Sequence, residues 1–466
     1  MGSVSSSIVR EFIFPLWMAR DHPRSGAYLR EFERTQFLES SALEALQFRR
    51  LQNLFAHAYQ ECPFYRRRMD QIGLDPLRLT STQQVSVLPV LTKKDIQKNG
   101  ADLLARQFPP SERVRNQTGG STGSPLQFYV DKNRFDSRKA STIRHNAWAG
   151  LRPGDWCATL WGARLDQQLG RRLWDWCRNN FLYRTIELNT SRISAEDWKF
   201  FVAELRRKRP QFLIAYSQSA VLFAHYLREH AIEDIRFQSI ITTAEVLLPG
   251  QRELLEQTFR GRVFNRYGCR EVSVIASECK HHQGMHVNAE ALLLEVIPDP
   301  SMPMPMGRIV ITDLLNFSMP LIRYEIGDVG AWAERPCSCG RSLPLLADVQ
   351  GRITDFLTLP DGCRVSGPAL TLVVSDMADI RQVQFVQKSP ESVVLRVVPG
   401  RDYGAHTTTE LRRRLAYYFH HDMILHIEEV EHIAREVSGK YRFVINEVPP
   451  EFAVPGAATG AGERLG

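Results

Sequence analysis

The chain has 466 residues, 43% of them apolar and 24% charged, with a formal net charge of +7. That length exceeds one ordinary core and points to two or three domains, and the composition is that of a globular chain, so disorder is not the default. No run approaches the roughly 20 apolar residues of a membrane span, and the eight cysteines are too scattered for a disulfide framework.

At the N-terminus the apolar stretch Ile8–Met18 is broken by Arg10, Glu11 and Pro15, so no secretory leader is read and a cytoplasmic location is expected. Phe12–Trp17 reads as packing on the protein's own body, with contact to a membrane surface or a partner as the alternative. The first hundred residues read as a helical segment. Leu43, Leu46, Leu51, Leu54, Phe55 and Ala58 recur at helical spacing until Pro63, and Thr92 with Asp95 marks a further helix start.

Residues 118–125 combine glycines and hydroxyls: Thr118, Gly119, Gly120, Ser121, Thr122, Gly123 and Ser124, closed by Pro125. Free N–H groups in such a loop cradle anions, and glycine allows close approach. It is not a Walker A loop, because no Gly-Lys-Ser/Thr closes it. From Gln127 short apolar runs alternate with helical stretches, as in an α/β domain. Phe212–Tyr216, Ser239–Thr243 and Arg262–Tyr267 read as buried strands, and ligands of open α/β sheets gather at the carboxyl ends of such strands. Trp148, Trp161 and Tyr216 are candidate aromatic walls for a ligand, with core packing the alternative for each. Ala291–Ile297 and Gly307–Asp313 read as antiparallel strands. Val383–Gln387 and Ser392–Val398 read as a hairpin, followed by a helix from Thr408 to His420 and a strand from Ile424 to Val430. The tail from Pro449 reads as disordered.

Cys279 and His286 lie close in sequence, and Cys337 and Cys339 follow the β-rich stretch. Three thiolates and one imidazole make a closed tetrahedral zinc set. His281 or His282 could replace His286 in it, and free cysteines packed as small apolar groups are the alternative.

Tyr267-Gly268-Cys269-Arg270-Glu271, Arg323-Tyr324-Glu325-Ile326-Gly327-Asp328, Gly351-Arg352-Ile353-Thr354-Asp355 and Ser438-Gly439-Lys440, in this order after the Thr118 loop, resemble the adenylate-forming (ANL) superfamily. The likeness is to the phenylacetate–CoA ligase branch and its capsular-polysaccharide relatives, and it runs from about Phe12 to Val448. The resemblance implies an α/β fold. A large adenylate-forming domain with mixed sheets (core 101–351, helical segment 1–100) would be followed by a small mobile α+β domain at 352–448. The zinc set would clip the β region 272–345, and 449–466 would form the tail.

By the same resemblance, Thr118–Gly123, Glu245, Tyr267, Gly268, Asp328 and Arg352 bind the nucleotide, Asp328 at the ribose and Glu245 beside adenine. Glu271 binds Mg²⁺, Lys440 bridges carboxylate and α-phosphate, and Asp355 is the hinge. Ser124 stands where relatives commonly carry lysine, and Arg270 where threonine is frequent. The expected ligands are ATP, Mg²⁺, a carboxylic acid of aryl or arylacetic type, and coenzyme A. A carrier protein or amine is the alternative acceptor, and a homodimer is left open.

The basic charge suits such anions. A nucleic-acid-binding protein is not expected, for want of a dense basic patch interleaved with aromatics. A non-catalytic nucleotide sensor is the remaining rival.

Overall fold

The structure, a computed structural model, describes residues 6–448 except 118–125, 162–177, 191–194, 301, 303, 351–355, 361–363, 367–369, 371–372, 375–376, 378, 420–422 and 435–441. The described residues fall into two compact units. The larger runs through Ile297 and resumes at Gly307–Val349; the smaller takes Pro298–Met306 and the chain from Gln350.

The N-terminal hundred residues are helical, as their periodicity predicts. Helices Phe14–Asp21, Ser25–Thr35, Ser40–Glu61, Pro63–Gln71 and Lys93–Asn99 follow one another. Pro63 does double duty, ending one helix and occupying the first turn of the next, where its missing N–H costs nothing. Thr92 and Asp95 form a reciprocal cap: Asp95 N–H donates to Thr92 Oγ1 at 3.2 Å and Thr92 N–H to Asp95 Oδ2 at 2.9 Å. The inner faces of these helices, through Phe32, Leu51, Leu54, Phe55 and Tyr65, share one core with Ile309, Ile311 and Tyr324.

Strands β1 (Arg113–Gln117) and β2 (Gln127–Asp131) form an antiparallel pair. The main sheet is built from β3 (Cys157–Trp161), β4 (Thr185–Asn189), β5 (Phe212–Tyr216), β6 (Ser239–Thr243), β7 (Arg262–Cys269), β8 (Ser273–Glu278), β9 (Met285–Val287), β10 (Leu292–Pro298), β11 (Gly307–Asp313), β12 (Tyr324–Trp332) and β13 (Leu345–Gln350). Their spatial order is β10-β11-β12-β13-β9-β8-β7-β6-β5-β3-β4. From β4 to β7 neighbours are parallel; β8 then turns back antiparallel to β7. The buried runs of β5 and β6 suit a parallel sheet covered by helices, here Ala195–Lys208, Ser217–Glu229 and Pro249–Phe259.

In the smaller unit, β14 (Phe356–Thr358) pairs with β15 (Arg364–Ser366), and a four-stranded sheet has the order β18-β17-β16-β19. Its members are β16 (Ile380–Ser389), β17 (Ser392–Pro399), β18 (Ile424–Glu429) and β19 (Val444–Asn446), with β16 and β17 the expected hairpin. The expected helix Thr408–His420 instead spans Ala405–Leu415. It starts early because Gly404 N–H donates to Thr407 Oγ1 at 3.3 Å, which ties off its first turn. No helix among the described residues is long and apolar enough to cross a membrane.

Candidate active site and metal cluster

The carboxyl ends of the parallel strands gather the motif residues. Trp161 ends β3 and Tyr216 ends β5, their ring centroids 4.6 Å apart. Beyond β6 lies Glu245, whose Oε2 accepts from Gln218 N–H at 2.8 Å while its carbonyl accepts from Ser217 Oγ at 3.0 Å. Of the two readings of Trp148, wall and core, the structure shows core packing. The residue is not paired with these rings but is packed with Leu43, Ala289 and Leu343, its indole N–H donating to Gln36 Oε1 at 3.1 Å.

The Tyr267 motif becomes a hairpin between β7 and β8. The register slips between Tyr267 and Gly268, Cys269 faces Ser273, and Arg270–Val272 form the loop. Ser273 closes it in the left-handed region, with φ +71, the pattern of a three-residue hairpin with a bulge. A Cβ on Gly268 would lie 2.6 Å from Ser273 O, so glycine is required by this turn. Gly268→Ala is expected to open the hairpin and cost about 1–3 kcal/mol. An unchanged denaturation midpoint would show that the turn tolerates a side chain.

Two side-chain pairs then join motifs more than fifty residues apart. Tyr267 OH donates to Asp328 Oδ2 at 2.8 Å, and Tyr324 OH donates to Glu271 Oε1 at 3.0 Å, with Glu271 buried. Burial, and next the Asp328 carboxylate, push the Tyr267 phenol well above its usual pKa, so it remains a donor. Gly327, at φ +85 with open space around it, serves the backbone turn before Asp328. Arg270 Nε donates to Asn116 Oδ1 at 3.2 Å. Arg323, in the same motif, is structural: it forks onto Glu295 at 2.9 and 3.0 Å and donates to Ser86 O at 2.7 Å.

Ala244, Ser273 and Arg323 all have positive φ, one in each of the three segments that converge here. Such backbone costs about 1–3 kcal/mol apiece and collects where structure serves a site. Tyr324 is a partner of the candidate site that the sequence does not single out. It stands inside a quoted motif, but nothing in its spacing says that it reaches Glu271. Thr118–Gly123, Arg352, Asp355 and Lys440 lie outside the described residues, as does the tail from Pro449.

The second constellation is Cys279, His286, Cys337 and Cys339, whose ligand atoms all lie within 4.8 Å of one another. Cys279 Sγ is 3.7 Å from Cys337 Sγ, and Cys339 Sγ is 3.3 Å from His286 Nε2. Tetrahedral zinc with Zn–S near 2.3 Å places two sulfurs about 3.8 Å apart, so the residues fit that ion. His281 and His282 are engaged elsewhere, at Ser338 Oγ (2.8 Å) and Glu278 Oε2 (3.2 Å). This leaves His286 as the imidazole of the set. Burial pushes the Cys279 thiol up to about 12 and His286 down to about 4.

Residues 357–447 match the family model of the CapK C-terminal domain. The chain is 24% identical over 432 residues to protein CapK of Staphylococcus aureus, covering 90% of this chain and 92% of that one. It is 27% identical to the phenylacetate–coenzyme A ligase of Thermus thermophilus, over 69% of this chain and 73% of the relative. Among solved structures, a 2-hydroxyisobutyryl-CoA ligase in complex with R3-HIB-AMP shares the fold at TM-score 0.73 and 22% identity, covering 90% of this chain and 92% of that one. Along most of its length the chain is similar to CapK and to phenylacetate–coenzyme A ligases, and it shares the fold of an acyl-CoA ligase solved with an acyl-adenylate.

Proposed function

We propose that this protein activates a carboxylic acid with ATP and passes the acyl group to the thiol of coenzyme A. In the first step a carboxylate oxygen bonds to the α-phosphorus and pyrophosphate departs. In the second the thiol sulfur bonds to the acyl carbon, and AMP leaves as the thiol proton is lost. Two anions meet in the first step, so catalysis must come chiefly from neutralising and positioning charge.

The observation that carries this reading is the paired contact Tyr267–Asp328 and Tyr324–Glu271 at the carboxyl ends of the strands. Asp328 presents its carboxylate for the two ribose hydroxyls, and Tyr267 orients it. Glu271 is a hard oxygen ligand suited to Mg²⁺, which when bound would offset phosphate charge. Tyr324 occupies one lobe of that carboxylate and directs the rest. Trp161 and Tyr216 offer aromatic surface for an aryl or arylacetic acid. Lys440 supplies a cation between carboxylate and α-phosphate, Thr118–Gly123 hold the departing pyrophosphate, Glu245 borders the adenine, Arg352 assists Asp328, and Asp355 is the hinge. The cysteine–histidine set holds zinc in a structural role.

ATP–pyrophosphate exchange with Mg²⁺ across aryl, arylacetic, fatty and amino acids tests the reading. Exchange stimulated by an aromatic acid, followed by thioester formation with coenzyme A, is expected. Exchange stimulated only by non-aromatic acids overturns the substrate class. Silence with every acid, ATP binding being intact, overturns the activity.

A further inference from the structure

Helix Lys132–Trp148 buries Arg134, Ser137, Arg138, Ser141, Arg144 and His145 along one face. Two of these arginines end on the β7–β8 hairpin loop. Arg134 donates from Nη2 to Val272 O at 3.0 Å; Arg138 donates from Nη1 to Arg270 O at 3.4 Å and from Nη2 to Glu271 O. Three consecutive carbonyls are therefore held by two guanidinium groups. Buried carbonyls need donors, and a forked donor restrains direction as well as distance.

Arg134 is anchored from behind, with Nε donating to Asp313 Oδ2 at 2.8 Å and Nη1 to Ser137 Oγ at 2.9 Å. Arg138 differs. Among the described residues it pairs with no carboxylate, and its buried Nε–H has no hydrogen-bond partner. Asp313 and Glu271 attract it only through space, so a buried cation with no direct ion pair stays expensive. Its outlets are the loop carbonyls, one of them belonging to Glu271 itself.

We infer that Arg138 is a positioning residue, whose guanidinium clamps the carbonyls of Arg270 and Glu271 and so fixes the direction in which the Glu271 carboxylate meets a divalent cation. The inference rests on the proposed metal role of Glu271. A loop free to rock about Gly268 would let that carboxylate turn away from the cation, whereas the clamp and the Tyr324 hydroxyl hold it from opposite ends, backbone and side chain.

The test uses Mn²⁺ as a paramagnetic probe, titrated into the full chain with α,β-methylene-ATP and followed by the resonance of free Mn²⁺. Wild type, Glu271→Gln, Arg138→Gln and Arg138→Lys are compared, with a melting curve for each. Outer-shell partners typically contribute about 10- to 100-fold to metal affinity. Arg138→Gln is expected to weaken Mn²⁺ binding about ten-fold, and Arg138→Lys to recover part of that loss. A merely structural role would lower the melting temperature and leave the affinity of the folded protein alone.

If Glu271→Gln loses Mn²⁺ while Arg138→Gln binds it as wild type does, the positioning role is overturned and the metal reading stands. If neither variant differs from wild type, Glu271 is not the ligand and both fall. Should Arg138→Gln not fold, Arg138→Lys, which keeps the charge without the fork, decides the matter, and unchanged Mn²⁺ affinity overturns the inference.

Discussion

Lys440→Ala is expected to reduce acid-dependent ATP–pyrophosphate exchange by about 10²- to 10³-fold, the effect of removing one preorganised charge partner from a transition state, about 2.7–4 kcal/mol. The lysine follows Gly439, within the segment that matches the CapK C-terminal domain. In the proposed first step its charge would matter most while the carboxylate approaches the α-phosphate. Thioester formation from a supplied acyl-adenylate, which needs no such approach, is expected to stay within a few-fold of wild type. Unimpaired exchange would remove Lys440 from the first step. Equal loss in both steps would point to damage of the whole protein.

Removing zinc is expected to have the second large effect. Purified protein should carry about one equivalent, and Cys337→Ser should lose it. An ion present at 1,000 times its dissociation constant contributes about 4 kcal/mol to stability. For a unit of this size that corresponds to a fall in thermal midpoint of roughly 5–10 °C. A metal-free protein that melts as the native one does would refute the site.

Acid should release the ion. With burial raising the Cys279 thiol to about 12, an ion must displace its proton to bind, so metal affinity falls as pH falls. Cys339 is easier to ionise. Despite burial, the backbone N–H and side chain of Arg341 hold it below the usual thiol value. Cys339 is then the thiol expected to offer a charge first to an incoming cation. Zinc retention measured against pH should therefore decline on the acid side, and stability should decline with it.

Several elements were legible because one local rule governed each. The heptad-like leucines of Ser40–Glu61, the Thr92–Asp95 cap and the apolar runs of β5 and β6 state their conformation within a few residues. The hairpin β16–β17 is equally local, its turn marked by Pro390. Helix Lys132–Trp148 shows where such reading runs out. Its buried face has helical period, but arginine, serine and histidine carry it in place of apolar residues. Hydropathy cannot see it, because each guanidinium is acceptable only beside a distant partner. Arg134 needs Asp313 at 2.8 Å, and Arg144 needs Glu290 at 2.6 Å. Breaking either buried pair would cost about 3–5 kcal/mol.

The sequence by itself determined the residue types and order of the candidate site: the glycine-hydroxyl loop, Tyr267 to Glu271, Gly327-Asp328, Gly439-Lys440, and three cysteines with a histidine. These follow from chemistry that only certain side chains supply. Tertiary structure decided the rest. It selected His286 over His281 and His282, moved Trp148 away from the aromatic pair Trp161–Tyr216, set Tyr324 on Glu271, and brought Arg138 behind the same loop. Each of those choices depends on segments remote in sequence packing together, and spacing along the chain carries no information about such a meeting.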